Sequence, residues 1–294
     1  MAVEARKSAT TTPGADAAPV PLGPRSVAWK CTGDLRGALM GGHALLLQVA
    51  HPVIGGGVHD HSDYQRRPWE RLWATLDSLN TQVYGGREAL AEGARLREVH
   101  KAFKGVDHRG RRYHALNPEA YTWVHMTLYE GLVTSARVLG RPLTDRQQRD
   151  LYAEWREVGR VLGIKEHHMP ADVEAFREYF DQKVATRLEP NPTVDGLLET
   201  FRGENIPRPS RYVPMPLWRL ARPAVGKVLT AGALATLPDS VLGRLDLAVT
   251  PEHRRWLRLV TMFTRYVFPL LPGRVRYYPV AWKAIRASGY ARAF

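Results

Sequence analysis

Ten of the eleven histidines fall between His43 and His168, and the eleventh is His253. Neutral imidazole is the commonest side-chain ligand of transition metals and a usual axial ligand of haem iron, so this clustering points first to metal or haem chemistry. His100 shares a helical face with Leu96, Val99 and Phe103, which turns its ring inward. His125 shares one with Tyr121, Leu128 and Leu132 and is expected inward as well. A lone inward histidine is commonly a satisfied core residue. Two on neighbouring helices serve equally as core residues or as ligands. His59 and His61 flank Asp60 in a Gly- and Asp-rich stretch, which reads as a polar loop or as an exposed non-haem metal site. His167–His168 reads as plain loop.

A second candidate is polar. Arg71, Thr75 and Ser78 recur at i, i+4 and i+7 beside an expected inward stripe of Trp69, Leu72, Trp73, Leu76, Leu79 and Val83. A cationic fork and a hydroxyl beside an aromatic wall can hold dioxygen or a developing oxyanion, or can form the solvated side of a helix. Paired carboxylates for acid–base work are not evident, and Glu130, the sole acid in the middle of its helix, reads first as solvated and second as orienting a neighbour. HExxH, CxxC, GxSxG and GxGxxG in their required contexts are missing, so zinc hydrolysis, serine hydrolysis and dinucleotide binding lack support. With Cys31 alone, an internal disulfide or a cysteine-rich cluster is excluded.

The elements that position these residues are helical. Leu35 to Ala50 reads as an apolar helix stopped at His51-Pro52, with Gly55–Gly57 as a tight loop after it. Further helices are expected over 67–84 and 88–104, each closed by glycine. Asn117-Pro118-Glu119 opens another with a cap, a proline at the first position and an acid near the positive end. Thr144 with Gln147 forms a capping-box pattern. Residues 206–223 hold five prolines and are expected to wrap the body as an extended arm. Strand-period alternation is not sustained anywhere. The expectation is all-α: a tail over 1–26, then one multi-helix bundle over 27–294.

Charge is uneven. The 294 residues carry a formal +13, and from Pro207 onward 15 basic residues face three acids, Asp239, Asp246 and Glu252. No nucleic-acid motif accompanies this charge, so nucleic acid is not expected, whereas peripheral contact with an anionic membrane stays open. The N-terminal residues mix Glu4, Arg6, Lys7 and Asp16 with prolines, unlike a secretory signal. Ala38 to Val58 is uncharged but interrupted by Pro52 and glycines, unlike a spanning helix. The expected setting is cytoplasmic.

Several ordered segments resemble a family. They are Leu45-Leu46-Leu47-Gln48-Val49-Ala50-His51-Pro52, Val58 through Ser62, Arg71-Leu72-x-x-Thr75, Val99-His100 with Gly105, and Tyr113-x-Ala115-x-Asn117-Pro118. Trp123-Val124-His125, Gly140-x-Pro142-Leu143, Tyr152-x-Glu154 and Leu162-Gly163-Ile164 with Pro170 continue the series. Together they resemble the MpaB-type oxygenases, which include the latex-clearing rubber oxygenases, over roughly 26–290 and more weakly past 205. The resemblance implies an all-α fold with a globin-like core that holds haem b. It makes His100 the match for the iron ligand, with His125 a second cofactor-binding candidate, and Arg71 and Thr75 the catalytic pair on the opposite side. Arg97, Lys101, Lys104, Arg111 and Arg112 are candidates for the haem propionates. Rubber oxygenases carry a lysine immediately before that threonine; this chain has Ala74. Gly55–Gly57 stand where those enzymes place an acidic base.

The function implied is a haem b-dependent oxygenase using dioxygen on an apolar substrate, an isoprenoid or secondary metabolite. A different class is also open: a haem-free helical binding protein with a basic C-terminal surface.

Overall fold

The computed structural model describes residues 20–289. The chain opens with α1 (Val27–Thr32), whose cap Ser26 accepts from the Trp29 amide. A 3₁₀ turn at Leu35–Met40 leads into α2 (Gly41–Val49) and α3 (Pro52–His61). Next come α4 (Pro68–Tyr84) and α5 (Glu88–Lys101), then a hairpin of β1 (Lys104–Val106) and β2 (Arg112–His114). The central helices are α6 (Pro118–Val138), α7 (Asp145–Val161), α8 (Val173–Thr186) and α9 (Pro192–Arg202). The C-terminal part holds α10 (Met215–Leu234), α11 (Asp239–Arg244), α12 (Pro251–Tyr266), α13 (Gly273–Arg276) and α14 (Pro279–Ala287). The fold is all-α apart from that hairpin, whose three-residue strands are too short to show a period.

Local chemistry explains where the central helices begin. Asn117 accepts from the Ala120 amide at 3.1 Å and Pro118 occupies the first turn of α6. Thr144 and Gln147 cap each other at α7, and Thr250 and His253 do so at α12. The apolar faces of α2, α6, α7 and α8 then close one core, in which Trp123, Trp155, Tyr129, Leu46 and Leu47 are almost wholly buried. Each such Leu contributes about 1.5–3 kcal/mol through burial. Trp123 Nε1 donates to the Leu47 carbonyl at 2.9 Å, so its polar tip costs nothing inside.

Four expectations are corrected. Gly55–Gly57 are not a loop but the middle of α3. The glycines serve proximity: a Cβ on Gly55 would stand 2.6 Å from the Val49 carbonyl oxygen, and one on Gly56 2.9 Å from the Tyr113 ring. The extended arm ends at Val213, because Pro216 fits the first turn of a helix and α10 starts at Met215. The inward stripe of α4 holds except at Trp73, which is half exposed: Leu76 and Leu79 pack on the core, Val83 is buried, and Trp69 and Leu72 are partly covered. On α5 the inward face is Ala89, Gly93, Leu96 and His100, and Val99 faces out. Among the described residues no single helix is long and apolar enough to cross a membrane; Leu35–Val49 and Pro52–His61 pass together by length and composition, bent by 111°.

Candidate functional site

The hairpin of α4 and α5 turns at Gly85–Arg87, so the two helices run antiparallel. Ser78 donates its hydroxyl to Glu92, and Glu92 in turn holds Arg95 at 2.6 Å. That contact sets the register: counting back along α4 and forward along α5 brings Arg71 level with Val99, the neighbour of His100, and Thr75 level with Arg95. Arg71, Trp73, Ala74 and Thr75 are all exposed on the open half of α4. Arg71 makes no hydrogen bond or ion pair through its guanidinium among the described residues. Thr75 donates its hydroxyl to the Arg71 carbonyl at 2.8 Å, which leaves its oxygen as an acceptor.

His100 is half-buried beneath this face. Its Nδ1 lies 2.6 Å from the Leu96 carbonyl, which accepts, so Nδ1 carries the proton and Nε2 is the bare nitrogen. Phe103 and Tyr121 meet the ring edge-on at 5.4 and 6.0 Å, both at 71°, and fix its plane. Burial pushes the ring's pKa below its ordinary value; the Leu96 carbonyl opposes this, and the Arg71 and Arg95 cations lower it further. The imidazole is therefore neutral at pH 7, the form that donates a lone pair to a metal.

Aromatic packing extends the site. His61 stacks on Phe103 at 4.7 Å and meets Tyr113 edge-on at 6.3 Å, while Tyr113 donates to Asp60. Sequence periodicity does not reveal this cluster, because it joins α3, α5, α6 and β2. It also removes the non-haem metal reading of His59, Asp60 and His61. These are successive helical positions about 100° apart, so they do not converge, and Asp60 already accepts from Tyr113. Among the described residues no group of three or more His, Cys, Asp or Glu side chains is arranged to hold a metal.

His125 points inward as expected, and its Nδ1 is buried without a hydrogen-bond partner. It is fully buried, its Nε2 donates to the Trp155 carbonyl at 2.8 Å, and Trp155 Nε1 donates back to the His125 carbonyl at 2.9 Å. The two rings stack at 5.2 Å and 7°. Burial lowers its pKa to about 4. This is a strut between α6 and α7, with its donor nitrogen spent and its face covered. Glu130 is corrected. Far from solvated, it is paired with the fully buried His43 Nε2 and accepts from Thr134 at 2.7 Å. His43 Nδ1 donates to Thr236 Oγ1 at 3.0 Å, since that hydroxyl gives its own proton to the Gly232 carbonyl. His43 holds Glu130 below the ordinary carboxylate range although burial alone would raise it.

The basic candidates divide. Arg97 donates to the Val161 carbonyl, Lys101 pairs with Glu98, and Arg111 pairs with Asp107 and Glu189. Lys104 and Arg112 lie exposed on the hairpin. Tested against the group that the resemblance implies, the donor set fits. A single neutral imidazole with a tethered Nδ1 and a bare Nε2 is the arrangement a haem-ligating histidine needs.

The family model described as ER-bound oxygenase mpaB/B'/Rubber oxygenase, catalytic domain, matches residues 29–266. An uncharacterized protein of Mycobacterium bovis and one of Mycobacterium tuberculosis are each 27% identical to this chain over 146 residues, 48% of this chain and 57% of theirs. The chain thus spans little more than half the length of these curated relatives. No solved structure matches.

Proposed function

The chain belongs to the mpaB/rubber oxygenase catalytic-domain family, and from that premise we propose that it is a haem b-dependent oxygenase combining dioxygen with an apolar organic substrate, an isoprenoid or a secondary metabolite. The observation that carries this reading is the state of His100: neutral, half-buried, tied at Nδ1 and bare at Nε2. Haem held through that nitrogen would supply the one-electron chemistry that activates dioxygen.

The chain's own residues do the rest. The Leu96 carbonyl fixes the tautomer of His100 and raises the basicity of its free nitrogen. Phe103 and Tyr121, edge-on to the ring, would shield it from water on their side. Arg71 brings a permanent positive charge with planar donors to the place where negative charge would grow on oxygen. Thr75, having given its proton to the helix, acts toward the site as an acceptor and would hold a protonated group there. A reducing, cytoplasmic setting belongs to the same proposal. Burial keeps the Cys31 thiol protonated, pushed up to about 11, so it takes no part.

The test is optical. Full-length protein expressed with haem precursor should show a Soret band, shifted by dithionite and by carbon monoxide. His100→Ala should abolish the band while changing stability by no more than about 1 kcal/mol. An unchanged spectrum in that variant removes the ligand assignment. Wild-type protein that folds but takes up no haem overturns the reading in favour of a helical binding protein.

A further inference from the structure

The last turns of α12 and the residues after it carry a run of exposed apolar side chains. Leu259 is 48% exposed, Met262 58%, Phe263 56%, Tyr266 64% and Leu270 81%. Arg255, Leu259, Met262 and Tyr266 follow one another at i, i+4, i+7 and i+11, so they form one continuous stripe along the helix. The opposite side is taken: Leu257, Val260 and Thr261 pack with Val228 and Gly232 of α10. The stripe is therefore left over after the fold is complete.

Its flank is cationic. Arg254, Arg258 and Arg265 lie along one edge of the stripe and are exposed, as is Arg274 beyond the helix. From His253 to the end of the chain there are nine Arg and Lys and no Asp or Glu. The nearest preceding acid, Glu252, is occupied by Lys227 at 2.8 Å. An apolar stripe edged by arginines is complementary to one kind of surface, in which apolar chains lie under a layer of negative charge. A second copy is a poor occupant, since a twofold contact would set these arginines against themselves. A nucleic acid would leave Leu259, Met262 and Leu270 without a partner.

We propose that the face formed by Leu259, Met262, Phe263 and Tyr266 of α12, with Leu270 just beyond it, docks this protein on an anionic lipid bilayer, the aliphatic and aromatic side chains entering the interface and the arginines meeting lipid phosphates. The surface is separate from the His100 site, and its test needs no cofactor. Full-length protein is floated with vesicles of phosphatidylcholine containing roughly 30% phosphatidylglycerol, and with phosphatidylcholine alone. Binding is expected to the anionic vesicles only and to weaken as salt is raised. M262S/F263S should lower the affinity more than tenfold, and R255Q/R258Q roughly thirtyfold. All four positions are exposed, and a thermal melt checks that both variants stay folded. Absence of wild-type binding, equal binding to neutral vesicles, or full binding by M262S/F263S overturns the proposal. So does a concentration-dependent dimer in light scattering that M262S/F263S abolishes, because a second copy would then be the occupant.

Discussion

Two histidines of this chain sit in opposite circumstances, although both lie on helices of the same bundle. His43 is sealed in the core with both nitrogens engaged, one by Glu130 and one by Thr236. His100 is half-buried at an open face with one nitrogen tied and the other bare. The first arrangement has no coordination left to offer and holds helices α2, α6 and α10 together. The second has spent on structure only what fixes its orientation. Variants at the sealed site and at the open face should therefore differ in their effect on stability.

The largest loss is expected at the sealed pair. Glu130→Ala leaves the buried His43 without its counter-charge and should cost about 3–5 kcal/mol in urea unfolding. Glu130→Gln, which keeps a polar partner, should cost less. A loss under about 1 kcal/mol for Glu130→Ala would mean that the pair is not the clamp described.

Acid should act next, through the buried rings. His125 has a pKa of about 4 in the fold against an ordinary 6.5, and burial lowers His51 to about 4 as well. Above pH 6.5 both rings are neutral, folded or unfolded, and their contribution is fully present. As pH falls, the unfolded chain binds protons first, so stability declines until about pH 4, where the folded rings follow. Each ring accounts for about 3 kcal/mol over that window. Replacing His125 with Gln should flatten the slope measured by unfolding between these limits. An unchanged slope would remove His125 from the account.

Gly159 tests the same strut at lower cost. A Cβ there would stand 2.5 Å from Met169 Sδ and 3.0 Å from His125 Nε2. Gly159→Ala should destabilise by about 1–3 kcal/mol, read from the thermal midpoint. The thioether can swing aside, but the stacked imidazole cannot. A neutral result would show that the α6–α7 interface is looser than its ring stacking implies.

Legibility in the sequence followed the range of the interactions. Helix starts at Asn117, Thr144 and Thr250 rest on contacts within three residues, and their signals are local. His43 and Glu130 are 87 positions apart, and no periodicity joins them. Hence Glu130 read as solvated. Gly55–Gly57 read as a loop because glycine is a poor helix former, yet the Val49 carbonyl and the Tyr113 ring demand glycine in that helix. For α4, spacing indicates which side differs from which. It does not say that Trp73, Ala74 and Thr75 stay exposed together with Arg71 while the rest of the stripe is covered. The candidate site was thus legible as residues and illegible as an open face.

The smallest structural effect, and the sharpest test of that open face, belongs to position 74. Ala74 is exposed between Trp73 and Thr75, so Ala74→Lys should change stability by no more than about 0.5 kcal/mol, since lysine is nearly as good a helix former. If the exposed half of α4 looks onto the cofactor opposite His100, the lysine stem is long enough to bring an amine to it. The haem-loaded variant should then show a displaced Soret band and weaker carbon monoxide binding than the parent. Raising the pH should strengthen the displacement, because only the unprotonated amine has a lone pair to give. A spectrum identical to the parent at every pH would mean that Arg71 and Thr75, one turn apart on that same face, look onto solvent rather than onto the site of His100.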